Sequence, residues 1–413
     1  MIQQISTFWQ RLALPSAVII TLSIQMTVSM LGASIPVLAP SIASDRGLDG
    51  AMMTFYSPII CIGAFAMNFL VSALLQRIGG MGLSLVCIGL SSLGLLCLLI
   101  PSMALLVVAP VLIGLATGAM NPASSQVLGP RTTSRTAGLI LSIKQTGVPL
   151  GGAAVGVLMP FLALRSGWQN AIIELVVVSG GLILLCLPTV RWLNGGSNST
   201  SFHPYRPLGP LRQLLVMPNM LSILIAAMIF VGMQYCLRSF FILHLVSSVG
   251  FPLSVAGTAF ATSQAAGMVG QVGWAVLSDR ALTTPTVMSI IGVVMTLAAV
   301  LTAIITPKWP VAAVLVIAAL YGISAAGFLP VVLAEVARRS PAGQVGVLTS
   351  GANLFLISGV LIGPLAFGAI SAWLNSAAAF AALGACTLLV TILVASPNMC
   401  RRGDPSNDRC EPP

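Results

Sequence analysis

The chain has 413 residues, 57% of them hydrophobic and only 6% charged, with a mean hydropathy of +1.03. Soluble domains carry about 25% charged residues, so this chain cannot cover a water-facing surface and reads as an all-α integral membrane protein. The net charge of +10 is scattered along the chain rather than gathered into a stripe, which argues against a nucleic-acid partner.

Eight cysteines build no disulfide framework. Six of them (Cys61, Cys87, Cys97, Cys186, Cys236 and Cys386) lie in apolar runs, and Cys400 and Cys410 lie in the polar tail. With only two histidines in the chain, no metal site and no cofactor is expected. The apolar run after Arg11 is too long for a signal peptide and reads as a retained first span.

About 20 apolar residues cross a bilayer. Twelve such segments are found, six near 13–40, 51–75, 81–101, 103–128, 137–162 and 171–191, and six near 218–246, 252–278, 284–306, 311–337, 343–372 and 376–396. The expected organisation is a six-helix bundle over 1–191, a linker over 192–217, a second bundle over 218–396 and a tail over 397–413. The linker carries Gly195, Gly196, Ser197, Asn198, Ser199 and Thr200, a flexible composition. With both termini on the cytoplasmic side, thirteen of the eighteen cations fall in inner segments and only Arg46, Arg165 and Lys308 in outer loops. That asymmetry predicts a multi-pass protein of the cytoplasmic membrane with both termini inside.

The halves repeat. Gly114, Pro122, Arg131, Gly138 and Ser142 recur at a constant offset as Gly322, Pro330, Arg339, Gly346 and Ser350. Gly147, Val148, Gly151 and Gly156 recur, one helical turn later, as Gly359, Val360, Gly363 and Gly368. Parallel six-helix repeats are one of the transporter architectures.

Between the second and third segments stands Leu75-Gln76-Arg77-Ile78-Gly79-Gly80, and between the eighth and ninth Leu277-Ser278-Asp279-Arg280. These resemble the signature loop of the major facilitator superfamily, and with the twelve-segment layout the chain resembles that family over essentially its whole length. The first copy departs from the pattern at Gln76, where an aspartate is usual, and the second at Ala275, where a glycine is usual. The resemblance implies a monomeric secondary transporter that rocks about a central cavity. It further implies that Asp279, Arg280 and Arg77, with Glu335, Arg338 and Arg339, latch helix ends rather than bind substrate. Helix five partly resembles the family's glycine-rich antiporter motif, although Gly152 occupies its proline position and Pro149 comes earlier. Gly147, Pro149, Gly151, Gly359, Gly363 and Pro364 are expected mainly to form helix contacts and bends.

The chemistry rests on two cations within spans. A charge at mid-bilayer costs about 2.5–3.5 kcal/mol on insertion scales and normally serves a purpose. Lys144, flanked by Gln145 and Thr146, is expected to face Asn353 of the eleventh helix. Arg238 shares a helical face with Gln234 and Tyr235. Gln25, Asn121 and Gln264 complete the candidate substrate-binding set, with His244 expected at the interface. No acid lies near mid-depth, and Glu174 sits close to the outer end of the sixth helix. Deep cations without deep acids point to a small organic anion as substrate, with a proton or counter-substrate as coupling partner. The alternative is a proton-coupled exporter of drugs or metabolites that depends on Glu174. No set of residues for enzymatic catalysis is present.

Overall fold

The computed structural model describes residues 2–47, 55–132, 140, 143–194, 208–217, 219–339 and 345–395. The chain divides into two compact units, Met1–His203 and Pro204–Pro413, and the division falls inside the polar linker.

Unit one contains α1 (Ile2–Arg46), α2 (Tyr56–Cys97), α3 (Met103–Leu128), α4 (Gly147–Ser166), α5 (Trp168–Cys186) and the short α6 (Thr189–Asn194). Unit two contains α7 (Leu208–Val216), α8 (Met220–Leu243), α9 (Leu253–Arg280), α10 (Thr284–Ala303), α11 (Val311–Ala325), α12 (Phe328–Arg339), α13 (Val345–Trp373) and α14 (Ser376–Ala395). A π-helical turn, His244–Val249, continues α8.

Among the described residues, ten helices are long and apolar enough to cross a membrane. The other two expected segments are helical as well. One is the shorter apolar stretch Tyr56–Val71 at the start of α2. The other is α9, where Gln264, Gln271 and many small residues lower the hydropathy. Large apolar side chains such as Val177, Val178, Leu184 and Leu185 on α5 stand exposed, as a lipid-facing helix requires.

Several boundaries differ from expectation. The second and third expected spans are the two halves of α2, separated where Gly79 leaves helical geometry at φ 71° and ψ 170°. The first half runs parallel to α3, with Ile60 beside Gly114 and Ala64 beside Gly118. The second runs antiparallel, with Gly80 beside Ala123 and Gly94 beside Ala109, so the chain reverses at Gly79. Residues 208–216 of the expected linker are helical, and Leu214 is fully buried with Met220, Leu224, Val336, Leu348 and Ala352. Burial of that apolar face makes α7 part of unit two.

The repeat read from glycine spacing is a packing repeat. In unit one, a Cβ on Gly147 would lie 2.9 Å from the Leu22 carbonyl oxygen, and one on Gly151 would strike that of Met26. In unit two, a Cβ on Gly359 would strike the Met228 carbonyl oxygen, and one on Gly363 would lie 2.5 Å from the Cα of Gly232. The α1–α4 and α8–α13 pairs therefore use the same device, close backbone approach over glycines one turn apart. Gly114 against Ile60 and Gly322 against Ser263 repeat it for α2–α3 and α9–α11.

Candidate functional site

Pro149 shapes the helix around Lys144. It has no N–H to return to the carbonyl of Gln145, and its ring crowds that carbonyl, so the helix breaks there. Thr146 closes the break with a backbone bond to the Ile143 carbonyl at 3.1 Å, reinforced by its hydroxyl at 2.6 Å. Regular α4 then starts at Gly147. Lys144 lies just below the break, only 2% exposed despite its charge.

Its ammonium donates to Asn121 Oδ1 of α3 at 2.8 Å and approaches Gln145 Oε1 at 3.4 Å. Both partners are neutral, and among the described residues Lys144 makes no ion pair. Asn121 and Gln145 are themselves exposed and form the rim of the group. Gln25 of α1 lies against Gly147, whose added Cβ would stand 3.1 Å from the Gln25 Cβ and Cγ. Gln25 Oε1 is buried without a hydrogen-bond partner. Four of the nine expected binding residues thus come together in unit one: Lys144, Asn121, Gln145 and Gln25.

In unit two, Gln234, Tyr235 and Arg238 share α8 and are all half-buried, and Gln264 on α9 is half-buried too. Asn353 lies on α13, but its side chain is outside the described ones, as is that of Asp279. Tyr321 and Phe328 are wholly buried core residues; the Tyr321 hydroxyl donates to the Met233 carbonyl at 3.4 Å.

The latch candidates divide sharply. Glu335 is 8% exposed and accepts from Arg338 at 2.8 Å, from Arg339 Nε at 2.6 Å and from the Thr284 hydroxyl at 2.7 Å. Arg338 also donates to Thr284 at 2.6 Å and to Ser278 at 3.4 Å. This network ties α12 to the C-terminal end of α9 and the start of α10. Arg280 is exposed.

Among the described residues, unit one has no such network: Arg77 is exposed and makes no hydrogen bond or ion pair with them. Where the repeat places Glu335, unit one has Val127, so no carboxylate is there to gather arginines. Arg131 instead donates to backbone carbonyls, Val127 at 2.6 Å and Leu193 at 3.0 Å. Burial draws its guanidinium below the usual range. Asn194, a residue the sequence did not single out, holds the turn at Gly79. Its Nδ2 donates to the Ile78 carbonyl at 2.9 Å, and its Oδ1 accepts from the Met81 amide at 2.9 Å.

At the other end of unit one, Arg46 lies in the last turn of α1 rather than in a loop, 5.3 Å above the Trp168 ring. Asp45 accepts from Trp168 Nε1 and Gln169 Nε2, both at 3.2 Å. Glu174 is exposed and accepts from the Ser166 hydroxyl at 3.3 Å. His244 is buried against neighbouring helices, at 3% exposure. Its Nδ1 meets the Ser376 hydroxyl at 2.8 Å and its Nε2 donates to the Thr302 carbonyl at 3.1 Å, stitching α8 to α10 and α14.

The model of the Major Facilitator Superfamily matches residues 17–319 and 223–398. The chain belongs to this superfamily. The superfamily is one of membrane transporters and not of enzymes. The superfamily fold is equally clear in solved structures. A bacterial homologue of the lysosomal transporter Spinster matches 93% of this chain and 95% of its own with a TM-score of 0.73 at 16% identity. A peptide transporter of the POT family matches 92% and 96% with a TM-score of 0.75 at 14% identity. The nucleoside transporter NupG matches 91% and 97% with a TM-score of 0.72 at 14% identity. Among curated superfamily relatives, a gallate transporter of Pseudomonas putida is 29% identical over 161 residues. That match spans 38% of this chain and about a third, 34%, of the relative.

Proposed function

We propose that the protein is a secondary active transporter of a small organic anion, with Lys144 of unit one and Arg238 of unit two as candidate counter-charges. The observation that carries this reading is Lys144 itself: 2% exposed, bonded to the neutral Asn121, and without an ion pair among the described residues. A buried ammonium held by neutral groups is only partly compensated, and an incoming carboxylate supplies what is missing. An anion therefore gains more from this group than a neutral or cationic solute does. The gallate transporter relative supports the same class, since gallate is a carboxylate.

Alternating access, the mode expected for the superfamily, would expose the site to each side in turn. The arginine distribution supports a place in the cytoplasmic membrane with both termini inside, and a proton or a counter-substrate supplies the coupling. Proton-coupled export through Glu174 is not favoured, because that acid is exposed and held by Ser166.

The test is uptake of labelled small carboxylates into proteoliposomes. Lys144→Gln is expected to abolish uptake while the protein still folds in the membrane. Undiminished carboxylate transport by this variant would remove Lys144 from the mechanism.

A further inference from the structure

We propose that Gln25 recognises a substrate hydroxyl, so that the site takes a small carboxylate bearing a hydroxyl group about one helical turn away. The proposal rests on the anion reading of Lys144.

Gln25 is 7% exposed, and its Oε1 is buried with no hydrogen-bond partner. Buried polar atoms are nearly always paired, so an orphan calls for an explanation. The neighbouring polar residue on the same helix is satisfied: the Ser29 hydroxyl donates to the Val148 carbonyl at 2.8 Å. At this helix contact the orphan is therefore Gln25's and not its neighbour's.

Its location follows from the α1–α4 contact. Gly147 faces Leu22 and Gln25, and Gly151 faces Met26 and Ser29, so the two helices run parallel. Lys144 is three residues below Gly147, about 4.5 Å along the axis. Cβ bonds tilt toward the helix N-terminus, which leans the Gln25 amide toward the level of Lys144. The residues that carry the ammonium and the unpaired amide thus lie about one turn apart on adjoining helices.

Unit two supplies an internal control. In the α8–α13 contact, Val231 occupies the position of Gln25, its Cγ1 standing 2.7 Å from a Cβ added at Gly359. Three residues before Gly359, where α4 has Lys144, α13 has Leu356. Both are buried, at 6% and 5% exposure. Packing of this helix pair is met by apolar side chains, so the amide and the ammonium in unit one serve something other than packing.

The chemistry selects the ligand. A carboxylate replaces the long 3.4 Å contact of Lys144 to Gln145. A hydroxyl both donates and accepts, so it pairs with Gln25 whichever way round the amide stands. With the two residues about one turn apart along the helices, a hydroxyl several bonds from the carboxyl group suits them better than that of a 2-hydroxy acid.

The test compares 3-hydroxybenzoate with benzoate as competing probes for uptake by the full chain in proteoliposomes. The unaltered protein is expected to prefer the hydroxylated probe at least about tenfold, because a site built to bond a hydroxyl rejects the analogue lacking it. Gln25→Met should reduce that preference, read as the ratio of the two probes, to within about twofold. If Gln25→Met does not fold, Gln25→Val, which introduces the residue type of unit two, takes its place. Retention of the preference in the folded variant overturns the role of Gln25 and leaves the anion reading intact. Absence of any preference in the unaltered protein overturns it as well. Transport of both probes by Lys144→Gln, or of neither by the unaltered protein, instead overturns the anion reading on which this rests.

Discussion

Gly363 lies so close to Gly232 that a Cβ added to it would stand 2.5 Å from the Gly232 Cα. One turn earlier, Gly359 meets the Met228 carbonyl in the same way. Backbone against backbone leaves nothing flexible to move aside. Gly359→Ala should therefore push α13 from α8 and destabilise unit two by about 1–3 kcal/mol or more. Gly89→Ala and Gly180→Ala, where an added Cβ meets nothing within 4 Å, should be neutral or stabilising by up to about 1 kcal/mol. Thermal unfolding of the three purified variants separates these outcomes.

Asn121 accepts from Lys144 at 2.8 Å, so replacing its amide with a carboxylate tests the charge balance. Asn121→Asp gives Lys144 a permanent counter-ion that competes with the substrate. We expect KM for the transported anion to rise about tenfold or more, equivalent to about 1.4 kcal/mol. Asn121→Ser, which restores no charge, should change KM far less. Concentration-dependent uptake distinguishes the two.

Glu335 collects both arginines and Thr284, and its removal takes one shared acceptor from all three, while Arg338 keeps Thr284 and Ser278. Breaking a wholly buried pair costs about 3–5 kcal/mol. Here the Arg338 and Arg339 side chains are 42% and 25% exposed, and water takes over part of the role. Glu335→Gln should cost roughly 1–2 kcal/mol of unit-two stability. A fall in thermal midpoint together with an altered transport rate is the expected signature, and an unchanged midpoint would dismiss the network as a constraint.

Gly79 and Asn194 form a pair suited to a double-mutant cycle. A side chain at Gly79 meets a left-handed backbone, φ 71°, and the Asn194 amide nitrogen at 2.5 Å. Gly79→Ala is expected to destabilise through both effects. In an Asn194→Ala background only the backbone strain of about 1–2 kcal/mol remains. Thermal unfolding of the four proteins should thus give a coupling above about 0.5 kcal/mol.

Much of the architecture was legible because it depends on local composition. The twelve segments follow from apolar runs, and the two units from the polar stretch between them. Gly147 and Gly151 revealed their counterparts Gly359 and Gly363 by spacing alone, since close approach accepts only a glycine and so leaves a mark in the sequence. Boundaries were less legible. Nothing in the residues 208–216 announced that Leu214 would be buried, because that depends on a face supplied by α8, α12 and α13.

Lys144 shows where sequence stops and tertiary structure begins. Its identity as an expensive charge within a span follows from residue type and the dielectric of the bilayer. Its partner does not. Asn121 of α3 bonds it, because the break caused by Pro149 and the rotation of α4 decide where the ammonium points within unit one. The same limit explains why Asn194 was passed over. Hydrophobicity determines which segments enter the membrane. Which side chains meet there depends on helix rotation and on contacts between residues far apart in the chain, and only the folded units decide that.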